Sequence, residues 1–176
     1  MTVAMIPSVL GEVIRQNVQL WTDANGLCFR APEGALSGPL RKALAENKPE
    51  LLDFLAGGYK VAPASFAQRG LWFLEQFESI GTAYSTPIAL HVSGRVHRDA
   101  LASSIQRVAS RHEALRTTFI DVGGEPAQLI HPSLDVPLAY LDIRGLPETE
   151  RQERLRHLAR EEASRPFDLA KGPLVR

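Results

Sequence analysis

Apolar residues in the first 57 positions recur first with a helical period, then with a strand period, and then with a helical period again. The segment 8–17 has its apolar residues on one side of a helix. Short apolar-rich runs follow at 18–21 and 27–30, and the turn-forming sequence TDANG separates them, which is typical of a β-hairpin. Two further helical patterns occupy 37–47 and 49–57. The pattern predicts a small unit with the order α-β-β-α-α.

The rest of the chain alternates between helical and strand periods, and the whole sequence therefore predicts an α+β fold. The glycines and proline of GGYKVAPAS predict a linker over 58–64. The predicted elements after it are a helix from 65, a strand at 88–92, a helix from 97, two strands joined at Gly123 and Gly124, a charged helix, and a final strand that begins near 167. On the helix from 97, we expect Leu101, Ile105 and Val108 to be buried.

Composition excludes several classes of protein. Lys and Arg number 20, and Asp and Glu number 20, so no charge excess favours binding to nucleic acid. The single cysteine, Cys28, cannot form an internal disulfide, and a lone cysteine does not predict a zinc site, so we expect no metal. The N-terminus lacks the features of a signal peptide, and no apolar run is long enough for a membrane span. We therefore expect a cytoplasmic protein.

The predicted hairpin is the first candidate for function. A two-stranded hairpin has two edges, and each edge presents unpaired N–H and C=O groups to which an extended peptide can add as a further strand. The alternative is that the hairpin is only scaffold, with Trp21 and Phe29 in the core. The residues alone leave both interpretations open.

The first unit resembles the TubC-type N-terminal docking domain of nonribosomal peptide synthetases. The residues that carry this resemblance are Val18, Leu20, Trp21, Phe29, Ala31, Pro32, Gly34, Leu36, Lys48, Glu50, Leu51 and Leu52. The resemblance implies that the second hairpin strand binds, by strand addition, the C-terminal tail of the upstream synthetase protein. It implies a peptide-docking set of Leu27, Cys28, Phe29 and Arg30, with Arg30 pairing with an acid of the tail. It also implies a docking core of Val18, Leu20, Trp21, Leu36, Leu51 and Leu52, and a homodimer through this domain is a further expectation.

The second unit resembles the start of a condensation domain, which has the chloramphenicol-acetyltransferase-like α/β fold. The opening signature is matched by Ser65, Ala67, Gln68, Leu71, Trp72 and Leu74, although Gly70 stands where the family has arginine. The sequence RHEALRTTF at 111–119 matches R-H-E-x-L-R-T-x-F in full, and FDLAKGPL at 167–174 matches a third element. We therefore expect a docking domain at 1–57, a linker at 58–64 and the N-terminal part of a condensation domain at 65–176.

Condensation in this family depends on the motif H-H-x-x-x-D-G, and this sequence contains no adjacent pair of histidines. The resemblance implies that Arg116 pairs with the aspartate of that motif and acts as a structural brace, and we expect His112 to be structural too. No catalytic residue and no cofactor is therefore expected within this chain. The resemblance implies that the parent protein joins acyl and aminoacyl groups held on the phosphopantetheine arms of carrier proteins.

Two other functions stay open at this stage. A small self-sufficient acyltransferase would use His112 or His131 as its base. Heterocyclisation and epimerisation domains share the condensation fold, and the residues that distinguish them are not in this sequence.

Overall fold

The computed structural model describes residues 7–77 and 81–176, so residues 1–6 of the predicted docking domain lie outside the described part. The helices are α1 (Pro7–Arg15), α2 (Gly38–Glu46), α3 (Lys48–Phe54), α4 (Phe66–Phe77), α5 (Arg98–Arg111) and α6 (Glu148–Ala163), with a 3-10 helix at Glu113–Arg116. The strands are β1 (Gln19–Asp23), β2 (Gly26–Arg30), β3 (Lys60–Pro63), β4 (Thr117–Val122) and β5 (Glu125–Ile130). The predicted α+β class and the α-β-β-α-α order of the first unit are confirmed.

All five strands of the described residues form one antiparallel sheet with the order β2-β1-β3-β5-β4. The hairpin β1–β2 joins the rest through β3, where Leu20 pairs with Val61 and Trp21 pairs with Lys60. β3 then pairs with β5 over four residues, and β5 pairs with β4 across the predicted glycine turn. The strands of the predicted docking domain and of the predicted condensation domain therefore share one sheet.

The hairpin and the helix after it form for local reasons. Asn17 adopts the left-handed backbone (φ 58°) that ends α1 and turns the chain into β1. In the hairpin turn, Asn25 N–H donates to the Asp23 carboxylate at 2.7 Å, and Gly26 takes a φ of +110° that a side chain would disfavour. Ser37 is the N-cap of α2, since Leu40 N–H donates to Ser37 Oγ at 3.3 Å.

The core lies between one face of the sheet and helices α1, α2 and α3. The strands contribute the buried side chains of Leu20, Val61, Val122 and Ala127, and α1 packs on β3, β4 and β5. The helices and the C-cap of α3, Leu55, contribute a second set of buried side chains, which in the helices are Val9, Leu10, Val13, Ile14, Leu40, Leu44 and Leu51. Because this core takes side chains from both predicted domains, neither part buries its apolar face alone.

The segment predicted as a linker, 58–64, differs from that expectation. Its residues Lys60–Pro63 form β3, the middle strand of the sheet, with Val61 fully buried. Gly57 and Gly58 both have positive φ, which turns the chain after α3 and directs it back along β1. The two glycines do mark a chain reversal, but the short apolar run that follows them is a strand.

Three expectations for the later residues are wrong. Residues 88–92 form no strand, because no described residues pair with them, and Ile88 and Leu90 are 78% and 82% exposed. On α5, Leu101 and Val108 are exposed, and Ala109 is the buried residue. The reason is that no described element packs against the face of α5 that was expected to be buried. Residues 167–176 also form no strand, although Leu169 C=O accepts a hydrogen bond from Phe119 N–H at the outer side of β4.

Replacing Leu20 by alanine is expected to destabilise both halves of the chain together. Leu20 is fully buried opposite Val61, so the cavity should cost about 3 kcal/mol of the free energy of unfolding. Tryptophan fluorescence during urea unfolding reports each half separately in two variants. Trp72→Phe keeps Trp21 in the first half, and Trp21→Phe keeps Trp72 in the second half. We expect coincident midpoints, and Leu20→Ala should lower both. The control Leu101→Ala, at an exposed site, should change stability by less than about 0.5 kcal/mol. An unchanged midpoint for the Trp72 signal would contradict this coupling.

Candidate functional site

The last strand of the sheet, β2, has one side without a neighbour. It pairs with β1 through five residue pairs. On its other side, no strand pairs with it in the described ranges 7–77 and 81–176. An edge strand presents N–H and C=O groups outward, so this side can accept an extended peptide. The residues predicted to dock a peptide all lie in this strand: Leu27, Cys28, Phe29 and Arg30.

The hairpin has one open edge rather than the two expected from sequence. The outer side of β1 pairs with β3, because the Gly57–Gly58 turn returns the chain alongside it. Among the residues that the structure describes, β2 is therefore the hairpin strand through which a peptide, or a second copy of the hairpin, can extend this sheet. The closed edge also fixes β2 relative to β4 and β5.

The side chains of β2 differ in what they offer a partner. Leu27 packs against the core, whereas Phe29 is 51% exposed and Arg30 is exposed at the end of the strand. A hydrogen bond with Asp23 raises the pKa of the Cys28 thiol, and burial raises it further. The protonated thiol is therefore favoured, which disfavours a nucleophilic role for Cys28.

The predicted docking core is divided between the two faces of the sheet. Val18, Leu20 and Leu51 are fully buried, and Leu36 packs against that cluster while partly exposed. Leu52 is half-buried. Trp21 pairs with Cys28 and with Lys60, so it lies on the face opposite to Leu20.

A groove of about 460 Å³ lies at the Arg30 end of β2, and we call it the arginine groove. Its walls include the apolar residues Trp21, Phe29 and Leu36 and the charged residues Arg30, Glu33 and Arg41. Arg41 Nε donates to Leu36 C=O at 3.2 Å, which orients its guanidinium group. Neither Arg30 nor Arg41 has an ion-pair partner within 4.0 Å among the residues that the structure describes. Sequence reasoning missed Arg41, because nothing in its helical context distinguishes it from a solvated arginine.

Arg116 is the last residue of the 3-10 helix before β4, and its side chain is largely buried with 12% exposure. Its Nη1 donates to His131 C=O, and its Nη2 lies 3.5 Å from Glu113 Oε1. Its Nε is buried and has no hydrogen-bond partner within the described part of the chain. One donor of this guanidinium is thus unused, although a buried donor without a partner costs about 1–3 kcal/mol.

The two histidines considered as bases have different surroundings. His112 is exposed, and its backbone ends α5. His131 lies against the side chain of Thr118, with 2.8 Å between Nε2 and Oγ1, and its ring meets that of Tyr59 edge-on. Burial lowers the pKa of His131, and the positive charge of Arg116 lowers it further. Its neutral form is therefore favoured.

Glu113 connects the sequence RHEALRTTF to the middle strand of the sheet. Lys60 Nζ in β3 donates to Glu113 Oε1 at 2.6 Å. This hydrogen bond lowers the pKa of Glu113, and the positive charges of Lys60, Arg116 and Arg30 lower it as well. Sequence reasoning missed the pair because Lys60 lies in the predicted linker.

Two family models match the chain in succession. The TubC N-terminal docking domain matches residues 6–56, and the condensation domain matches residues 59–176. The chain belongs to the condensation-domain family. A TubC N-terminal docking domain stands in front of that domain, so both resemblances seen in the sequence are confirmed.

The relatives of this condensation domain are proteins of nonribosomal peptide synthetases. A linear gramicidin synthase protein from Brevibacillus parabrevis is 43% identical over 117 residues, which is 66% of this chain and 2% of that protein. A second linear gramicidin synthase protein from the same organism is 40% identical over 148 residues, which is 84% of this chain and 3% of that protein. The chain thus spans a small fraction of the length of these relatives. The EpoB NRPS cyclization-docking bidomain from Sorangium cellulosum aligns with 96% of this chain and 36% of its own, at 26% identity and a TM-score of 0.43.

The described residues contain neither a candidate membrane-spanning helix nor a candidate metal site. No helix among them is long and apolar enough to cross a membrane. No group of three or more His, Cys, Asp and Glu side chains within 7–77 and 81–176 could hold a metal ion.

The pKa of His131 is expected to rise in an Arg116→Gln variant of the 176-residue chain. The substitution removes a positive charge that disfavours the imidazolium, so the pKa should move part of the way back toward 6.5. Because the folded-state pKa is lowered, the stability linked to His131 is present above pH 6.5 and is lost as pH falls through the lowered value. Arg111→Gln, at an exposed site without an ion pair in the described residues, is the control. A histidine NMR titration checks the shift, and an unchanged pKa in Arg116→Gln would contradict it.

Proposed function

We propose that this chain receives the C-terminal tail of an upstream synthetase protein, which adds to β2 as a sixth strand of the sheet. The observation that carries the proposal is the position of β2 at the end of the sheet, with its outer side unpaired among the described residues. The match to the TubC docking family supports it, because the predicted peptide-docking residues lie on that strand. Main-chain hydrogen bonds would supply affinity, and the side chains beside the strand would supply selectivity.

The arginine groove supports an acidic partner. Arg30 and Arg41 line the same groove, and neither forms an ion pair in the described residues. A guanidinium group binds a carboxylate through two parallel hydrogen bonds, and here two such groups stand beside an exposed aromatic side chain, Phe29. We infer that a carboxylate of the docked tail is bound between Arg30 and Arg41.

Strand addition can be tested by NMR on the labelled 176-residue chain. We expect the tail peptide of the upstream protein to shift the backbone amide signals of residues 26–30, with a scrambled peptide as the control. Arg30→Gln and Arg41→Gln should each weaken binding by about threefold to fivefold, because ion pairs near the surface are modest in energy. Lys42→Gln, beside Arg41 but outside the groove, should leave the affinity unchanged. Absence of any shift across residues 26–30 would contradict the proposed function.

For the parent protein, we propose amide bond formation between acyl and aminoacyl groups that carrier proteins hold as phosphopantetheine thioesters. The condensation-domain match and the synthetase relatives support this reaction class. We further propose Arg116 as a positioning residue, whose buried Nε would bind a carboxylate of the parent domain. Its side chain is held in place by His131 and Glu113, so it can fix the position of a partner loop.

In the parent protein, Arg116→Ala is expected to lower the condensation rate by about a hundredfold, since a small displacement of a catalytic loop has an effect of this size. The affinity for the upstream tail should fall by no more than about threefold, because Arg116 does not lie on β2 and its side chain is largely buried. Single-turnover kinetics and tail binding measure the two effects separately. His112→Ala is the control. Loss of turnover only in His112→Ala would instead favour a catalytic histidine in the RHEALRTTF sequence.

A further inference from the structure

A second groove, of about 580 Å³, lies where the docking domain meets the condensation domain, and we call it the junction groove. The docking domain contributes Asn17 and Gln19, and the condensation domain contributes Glu113, Ala114 and Gln128. The consecutive residues Arg30, Ala31 and Pro32 line both this groove and the arginine groove. The junction groove therefore begins at the end of the strand on which the tail docks.

The charges around the junction groove are unbalanced. Its carboxylate, Glu113, already has Lys60 at 2.6 Å and Arg116 at 3.5 Å. Arg30 is a third basic group near this carboxylate, since its charge also lowers the pKa of Glu113. Arg30 and Glu113 line the groove itself, whereas Lys60 and Arg116 lie outside its lining and neutralise Glu113. The charge of Arg30 is therefore left uncompensated at the groove, although the whole chain is neutral. An acidic segment complements it.

The polar side chains of the groove also suit a polypeptide. Asn17 and Gln19 carry amide groups with no side-chain hydrogen-bond partner in the described parts of the chain. Gln128, in contrast, donates to Pro63 C=O at 2.8 Å and accepts from Gln68, so it is fixed as part of the floor. Free amide groups can pair with the N–H and C=O groups of an extended chain that leaves the β2 edge.

We propose that the tail docked on β2 continues past Arg30 into the junction groove, so that its acidic segment contacts the condensation domain as well as the docking domain. This inference rests on the proposed function and adds to it a second contact surface. The condensation domain would then contribute directly to the choice of partner. A change of charge at Ala114, which lies outside the docking-domain match, should therefore alter docking affinity.

Charge substitutions at Ala114 test the proposal. Ala114 is exposed and lines the groove, so either charge can be accommodated without burial. In the 176-residue chain, Ala114→Asp should weaken binding of the upstream tail peptide by about threefold, and Ala114→Lys should strengthen it by about threefold. The controls Ala67→Asp and Ala67→Lys, at an exposed site outside the groove, should bind as the unsubstituted chain does. Titration calorimetry measures all five proteins.

A steric variant and an NMR experiment complete the test. Ala114→Trp fills the groove and should weaken binding by about tenfold, which is about 1.4 kcal/mol, while the amide signals of residues 26–30 still shift when peptide is added in excess. On the unsubstituted chain, the amide signals of residues 113–117 should shift together with those of 26–30. Equal affinities for Ala114→Asp and Ala114→Lys would overturn the inference and leave strand addition intact. Absence of binding to the unsubstituted chain would overturn both proposals.

Discussion

The pairing of β1 with β3 is the contact on which the rest of the structure depends. It joins Leu20 to Val61 and Trp21 to Lys60, and so places the docking hairpin in the same sheet as β4 and β5. The same contact closes one edge of the hairpin, so that within the described residues β2 is the hairpin edge that can accept a further strand. A tail docked there would be held in a fixed relation to the condensation domain, because a continuous sheet, and not a flexible linker, lies between them.

The arrangement of the strands also decides which charged side chains meet where the two domains join. The pairing of β3 with β5 places Lys60 next to Glu113, and Arg116 approaches the same carboxylate from the end of the 3-10 helix before β4. The carboxylate is thereby neutralised, while Arg30 has no ion pair in the described residues. Basic groups are therefore in excess where the two domains meet, and the overall neutrality of the sequence conceals this local excess. Local complementarity of this kind selects partners more than it adds affinity.

Several apolar side chains after residue 80 are exposed, because no described element packs over them. Ile88 and Leu90 are exposed, although the sequence pattern at 88–92 predicts a strand. An alternating sequence pattern shows only that a segment can form a strand. The segment forms one when a neighbouring strand pairs with its backbone N–H and C=O groups. The described residues supply such neighbours to β3, β4 and β5, but not to 88–92. The hairpin of β4 and β5 is predictable because both of its strands lie within fourteen residues of sequence.

The sequence by itself determined the elements whose causes are local and the family to which the chain belongs. The Asn25–Gly26 turn, the Ser37 cap and the Gly123–Gly124 hairpin each depend on a few adjacent residues, and the motifs from 111 to 119 identify the condensation domain without any coordinates. Only the tertiary structure decided that Lys60–Pro63 is a central strand, that one hairpin edge is closed, and that Arg30, Arg41 and Glu113 surround adjoining grooves. The physical reason is that paired strands and ion pairs join residues that are far apart in the chain. The local pattern of apolar and polar residues does not determine which distant strand or charged side chain will be the partner.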